Sequence, residues 1–321
     1  MKIKTEKSTY REVMARERNE RKKPVRPNIL FRSLIYILSQ PSMRKTHFSV
    51  RKKGMEKLGK KEPCLVLMNH SSFIDLKIAS TLLYPRPFNI ICEADGFVGK
   101  EWLMRQIGCI PTHKFVSETA LVKDMMYTVR TLKSSILLYP EASYSFDGTS
   151  PTPLPESLGK CIKLLKVPVV MIRTYGAFQR DPLYNLLKLR NVDVSADMEY
   201  LLSPEEIASL TSDDINSLVS SRFAFDHFQW QKENGIEVKE DFRADGLSSV
   251  LYKCPKCGKE GMMASGGEEI WCSSCAKKWR MEKDGSLKAM DGEDIFSSVP
   301  EWSRWERKET EKEIDRGEYK V

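Results

Sequence analysis

The sequence predicts an α/β fold: a central sheet covered by helices, with a small cysteine-containing module and a helical tail behind it. Three observations carry this. Between residues 63 and 176, short apolar runs alternate with helical stretches, the pattern of a sheet with helices on its faces. Downstream, four cysteines stand as C-x2-C-x14-C-x2-C. The chain has 321 residues and 41% hydrophobic content, enough for one large domain plus a small one.

The first stretch, 1–58, reads as a basic arm with an interfacial helix. Residues 1–62 hold 19 Lys+Arg against 6 Glu, whereas the other 259 hold 33 Lys+Arg against 38 Asp+Glu. The positive charge is therefore an N-terminal property and suggests an anionic partner. "NILFRSLIYILSQ" is apolar and helical, flanked by Arg26, Arg44, Lys45 and Arg51 to Lys53. It suits a helix lying on an anionic membrane surface; the same residues also suit a helix docked on the next domain. No apolar run reaches the ~18 residues that would span a bilayer, and no secretory signal is visible. The expected place is peripheral, on the cytoplasmic face of a membrane, with no transmembrane span.

Residues 59–232 form the expected main domain. "PCLVLM", "FNIICEA", "SSILLYP" and "VPVVMIRTYG" read as buried strands. "DLKIASTLLY", the stretch near Lys100 to Ile107, "ETALVKDMMYTVRTLK" and "SLGKCIKLLK" read as helices between them. "VDVSADMEYLL" alternates weakly and reads as an edge strand. "SPEEIASL" opens a helix, with Ser203 as N-cap, Pro204 at the first helical position and Glu206 closing a capping box. Residues 233–250 are polar and read as a linker, 251–289 as the cysteine module and 290–321 as a charged helical tail.

One stretch raises a chemical question. "MNHSSFIDL" follows the strand at 63–68 and places His70 in a loop before a helix, where open sheets carry their chemistry. Asp75 follows five positions later. Ser72-x-x-Asp75 has the form of a capping box, which explains Asp75 by itself; His70 has no such explanation. Three further stretches stand in order behind it. "GCIPTHK" carries Gly108 and Lys114, "LLYPEASYS" puts Glu141 in a Pro-led turn, and "VPVVMI" opens a strand.

Together these four blocks resemble the glycerolipid acyltransferase family, which acylates glycerol phosphate and lysophospholipids. Asn69, His70 and Asp75 match its Asn-His-x4-Asp block. Gly108 matches its second block, with Lys114 keeping the charge of the usual Arg. Pro140, Glu141 and Ser145 match Phe-Pro-Glu-Gly-Thr-Arg-Ser; Tyr139 and Ser143 are conservative there, and Ala142 and Tyr144 depart. Val167 and Pro168 match the fourth block. The resemblance spans roughly residues 60–205.

The resemblance implies an O-acyltransferase with His70 and Asp75 as the catalytic pair. Its substrates would be a membrane lipid acceptor and an acyl donor, either acyl-CoA or an acylated carrier protein. Removing a hydroxyl proton as it attacks a thioester needs a base that is neutral near pH 7, which imidazole is. A carboxylate on its other nitrogen fixes the tautomer. No Gly-x-Ser-x-Gly elbow is present, so direct transfer without an acyl-enzyme is expected. The family's substrate pocket falls on Asn69, Gly108, Lys114, Glu141 and Ser143. Tyr144 lacks the guanidinium expected there. Arg173 is a candidate replacement, or simply a surface arginine.

Cys254, Cys257, Cys272 and Cys275 have the spacing of a tetrahedral Cys₄ site and resemble a zinc ribbon. Four protein ligands leave no open position, so a structural Zn2+ that supports stability rather than turnover is expected; a rubredoxin-like iron is the minor alternative. The module has no strong basic excess, which argues against nucleic acid. A rival reading remains: a non-catalytic zinc-ribbon protein that binds nucleic acid or a protein partner through its basic arm.

Overall fold

The computed structural model describes residues 7–15, 21–113, 118–150, 153–186 and 188–319. The N-terminal part holds a short helix α1 (Tyr10–Ala15), the longer α2 (Ile29–Lys45) and strand β1 (Ser49–Lys53). Then come β2 (Leu65–Met68), α3 (Asp75–Leu83), β3 (Phe88–Glu93), α4 (Glu101–Gln106), β4 (Cys109–Thr112), α5 (Thr119–Arg130) and β5 (Ser135–Leu138). These are followed by α6 (Ser157–Leu165), β6 (Val169–Tyr175), α7 (Ala177–Arg180), β7 (Ser195–Leu202), α8 (Pro204–Ser209), α9 (Ser212–Phe223) and α10 (His227–Glu233). The cysteine module contributes β8 (Met263–Gly266), β9 (Glu269–Cys272), β10 (Lys278–Met281) and β11 (Leu287–Ala289), and the tail is α11 (Val299–Asp315).

Among the described residues the main sheet has seven strands in the order β1-β7-β6-β2-β5-β3-β4. All pairs are parallel except β6 with β7. β2 is central, and its four residues are each 0% exposed. Val66 and Met68 enter one core, Leu65 and Leu67 the other. A strand covered on both faces must be apolar without interruption, which is why 65–68 does not alternate. The capping box at Ser203 and Glu206 forms as its residues dictate.

Three sequence expectations change. β7 is not an edge strand: β1, assigned to the basic arm, pairs with it in parallel register. Arg51 forks onto Asp197 at 2.7 and 2.8 Å, and Lys53 reaches Glu199 at 2.8 Å. The charges that made 49–53 look like a solvated arm are cross-strand partners, on an edge where Lys and Arg also discourage further pairing. Second, part of the arm is tied down. Arg21 pairs with Asp124 at 2.6 Å and Glu118 at 3.2 Å, and Lys22 with Glu101 at 2.8 Å. Third, 233–250 is a packed segment rather than a solvated linker. Val238, Ala244 and Leu247 are buried. The Asn185 amide donates to the carbonyls of Phe242 and Asp245, both at 2.8 Å, and Arg190 donates to that of Arg243 at 2.8 Å. Side chains from outside the segment satisfy its backbone carbonyls.

The docked reading of α2 holds for one face, and the other face is exposed and apolar. Its inner face packs against α3: Met43 is buried, and Tyr36 stacks on Tyr84 with centroids 4.4 Å apart. The outer face leaves Ile29, Leu30, Leu34, Ile37 and Leu38 exposed. No described helix is long and apolar enough to cross a membrane.

Candidate active site

The site forms where β2, β5 and β6 end side by side, the carboxyl ends at which open sheets place ligands. His70 follows β2. Its Nδ1 lies 3.1 Å from Asp75 Oδ2. The same Asp75 oxygen accepts the backbone N–H groups of Ser71 at 2.8 Å and Ser72 at 3.0 Å. Asp75 is 1% exposed. The question of cap or partner therefore has a double answer. Asp75 reaches back to Ser72 as in a capping box, and from the same place it holds the imidazole. The reciprocal half of the box is missing, because the Asp75 N–H bonds the Ser72 carbonyl. Ser72 Oγ instead donates to Asp181, beyond β6. With Nδ1–H donated to the carboxylate, Nε2 keeps its lone pair for a substrate proton.

Glu141 lies at the end of β5 and accepts the His70 backbone N–H at 2.8 Å. The residue is 4% exposed. Burial pushes its pKa up to about 7, with the Asp75 charge adding, against hydrogen bonds from His70 and Ser150. Two tyrosines from the same loop enclose the imidazole. The Tyr139 ring stacks at 4.1 Å between centroids, and the Tyr144 ring sits at 3.7 Å on a 30° tilt. Phe73 stacks on Tyr144 at 5.1 Å. Ala142 adopts φ +58, the left-handed backbone for which the family pattern uses glycine. Ser143 is half-buried in this turn.

The remaining expected residues divide. Asn69 turns inward: its Oδ1 accepts the Thr174 N–H at 2.8 Å and Oγ1 at 3.3 Å, binding β2 to β6. It positions the loop rather than facing a ligand. Gly108 has φ +92, and a Cβ there would meet Pro27 at 2.4 Å, so it serves the turn into β4 and the seat of the arm. Lys114 lies outside the described residues. Arg173 is not brought to His70. On β6 it points to the face opposite Thr174 and lies over the Phe225 ring at 5.4 Å. Strand alternation sends it away from the face where Asn69 bonds Thr174.

Sequence reasoning missed a cleft next to the His70 loop, which touches that loop through Phe73 and Ile74 and does not include His70 or Asp75 in its lining. Phe73, Ile74 and Lys77 of the α3 region, Pro41, Ser42 and Lys45 of α2, and Arg180, Asp181 and Leu189 line an open cleft of about 590 Å³. Arg180 and Asp181 pair at 3.3 Å, and both are largely buried. Lys77 is exposed, and its Nζ donates to Ser42 Oγ at 2.8 Å. The cleft thus carries three cations and one anion against apolar walls. The available signal was a charged pair directly behind an apolar strand, at the sheet end that holds His70.

Away from this site, the Sγ atoms of Cys254, Cys257, Cys272 and Cys275 all lie within 4.8 Å of one another. Cys254 and Cys275 are 3.6 Å apart, Cys257 and Cys272 3.8 Å. A tetrahedron with metal–sulfur bonds of about 2.3 Å has edges of about 3.8 Å, so the donor set fits a metal ion. Each knuckle closes the same way: the N–H of Gly258 bonds Cys254 O, and that of Ala276 bonds Cys272 O. Both residues have positive φ.

Residues 49–174 match the family model described as Acyltransferase. Among solved structures, the chain is similar to the 1-acyl-sn-glycerophosphate (LPA) acyltransferase PlsC from Thermotoga maritima. That match has 16% identity and a TM-score of 0.47, and covers 60% of this chain and 77% of that one. No curated protein matches the chain.

Proposed function

We propose that the chain is an O-acyltransferase of glycerolipid metabolism. It moves a fatty acyl group from a thioester, acyl-CoA or an acylated carrier protein, to the hydroxyl of a lysophospholipid or acylglycerol phosphate. The observation that carries the reading is the His70–Asp75 pair at 3.1 Å, set at the strand ends inside the segment that matches the acyltransferase family.

In this mechanism His70 Nε2 takes the proton of the acceptor hydroxyl as its oxygen attacks the thioester carbonyl. Asp75 stabilises the imidazolium that forms. As the tetrahedral intermediate collapses, the carbon–sulfur bond breaks and the imidazolium returns the proton to the leaving thiolate. Base catalysis of this kind supplies roughly 10²–10⁴-fold. Glu141 supports the His70 backbone and does not take the proton.

The cleft beside the pair suits the acceptor's anionic headgroup. Lys45, Lys77 and Arg180 supply positive charge where Tyr144 supplies none, and Phe73 and Leu189 give a wall for an acyl chain. The exposed apolar face of α2, with basic residues at both ends, suits peripheral contact with an anionic membrane. In the cysteine module, a structural Zn2+ held by the four thiolates would cross-link the two knuckles.

An acceptor panel assayed with one acyl-CoA tests the reading. The expected order is lysophospholipids and lysophosphatidic acid above glycerol 3-phosphate. Lys45→Glu with Lys77→Glu should raise KM for the charged acceptor several-fold at nearly constant kcat. Transfer to glycerol 3-phosphate alone, or no transfer to any acceptor, would overturn it.

A further inference from the structure

The family match ends at residue 174, yet the C-terminal helix reaches back into the loop that encloses His70. The link is Asp147, whose residue is 1% exposed. Its Oδ2 accepts Ser303 Oγ at 2.9 Å and the Arg307 guanidinium, both from α11. Its Oδ1 accepts the Thr149 N–H at 3.0 Å and hydroxyl at 2.7 Å. The Thr149 carbonyl accepts Ser145 Oγ at 2.6 Å, and the Ser145 N–H donates to the His70 carbonyl at 2.9 Å. A continuous run of hydrogen bonds therefore joins α11 to the backbone of the catalytic histidine.

A second face of the same two turns of α11 rests on the cysteine module. Trp302 Nε1 donates to the Lys253 carbonyl at 3.0 Å, and the Lys253 N–H donates to Glu306 at 2.7 Å. Lys253 directly precedes the first cysteine of the site. The Trp302 ring lies 4.8 Å from that of Trp279, and both side chains are fully buried. Phe178 and Tyr184, just beyond β6, share this core with Cys254, Trp279 and Trp302. The module is built into the wall of the main domain.

We propose that Asp147, Ser303 and Arg307 are positioning residues, through which α11 and the cysteine module set the loop that holds the His70 ring. The inference rests on the acyltransferase reading for its effect on rate. A buried carboxylate stripped of its donors is strongly unfavourable, so the loop must move or admit water when α11 lets go. Glu141, Tyr139 and Tyr144 lie on that loop, and Tyr144 sits on the imidazole at 3.7 Å. Displacement by a fraction of an ångström changes the placement of the base, to which rate is steeply sensitive.

The test uses the full chain with Arg307→Ala, Arg307→Lys, Ser303→Ala with Arg307→Ala, and Cys254→Ser. Arg307 is half exposed, so its substitution should leave folding intact, as a thermal melt would check. Expected for Arg307→Ala is a fall in kcat of roughly 10- to 100-fold, with donor KM within about twofold and bound metal unchanged. Arg307→Lys should recover part of it. A readout independent of turnover is the rate at which diethyl pyrocarbonate modifies His70, followed by peptide mass spectrometry. That rate should rise in Arg307→Ala and in Cys254→Ser, while His47 and His113 keep theirs. Unchanged His70 reactivity and unchanged kcat in the folded double variant would overturn the proposal. If wild type transfers no acyl group but His70 reactivity still responds, the coupling stands and the assigned reaction falls.

Discussion

Glu141 Oε2 holds the backbone N–H of His70 at 2.8 Å, across 71 residues of sequence. Burial lifts this carboxyl to about 7, from an ordinary value of 4.5. An acid whose pKa is raised on folding binds its proton more tightly folded than unfolded. Its contribution to stability is therefore full at acid pH and is lost as pH climbs from 4.5 to about 7. At about 1.4 kcal/mol per unit, the loss is on the order of 3 kcal/mol. Glu141→Gln removes the titration and can still accept the His70 N–H. Urea midpoints on either side of that window should therefore vary less with pH in the variant. Parallel pH dependences would show that Glu141 ionises normally in the folded protein.

The Asp75 arrangement separates charge from architecture. One oxygen accepts from His70, Ser71 and Ser72 together. Asp75→Asn can keep all three bonds with its amide oxygen while losing the charge that stabilises an imidazolium. Turnover should fall roughly 10²–10⁴-fold with little change in melting temperature. Asp75→Ala also strands two buried N–H groups and should lose about 1–3 kcal/mol for each. His70→Ala should abolish turnover and leave the fold intact. Full turnover in Asp75→Asn would reduce Asp75 to a loop anchor.

For membrane contact, truncation is the wrong experiment. Removing residues 1–53 would also remove β1 and the buried Met43, so lost binding would not identify a surface. Leu30→Asp, Ile37→Asp and Leu38→Asp alter only exposed positions. Together they should abolish sedimentation with anionic vesicles while circular dichroism stays unchanged. Undiminished sedimentation of the triple variant would assign membrane contact elsewhere.

The cysteine module should hold about one zinc per chain by elemental analysis, one ion for four thiolates. Chelation should lower the melting temperature and shift tryptophan emission to the red, since Trp279 and Trp302 are fully buried beside the cluster. A chain purified free of metal, with the same melting temperature, would exclude the structural role.

Much of the sheet was legible because β2, β5 and the start of β6 are apolar runs and helical stretches stand between them. β1 was not, since its Arg and Lys resemble an arm until Asp197 and Glu199 appear opposite them. The His70–Asp75 contact was legible only with the three blocks that follow it, because spacing alone reads equally as a helix cap. The cleft wall was not, because Lys77, Arg180 and Asp181 meet only through tertiary packing. Arg173 was misplaced because alternation fixes a strand residue's face only once its register is known. Asp147 carried no signal: its donors lie in a tail that looked detached.

The placement of β1 beside β7 also constrains how the protein is made. Arg51 and Asp197 pair across 146 residues, so the sheet's last seam closes over most of the main domain. Closing a loop of that length costs roughly 3 kcal/mol more than closing a short hairpin, and parallel long-range pairing is slow. At about 5–20 residues per second, synthesis leaves the earlier strand waiting on the order of 10–30 s for its partner to emerge. Throughout that interval the nascent chain carries an unpaired strand and, directly ahead of it, the apolar flank of α2. An encounter with a bilayer or a chaperone during translation therefore meets this segment before the sheet is complete.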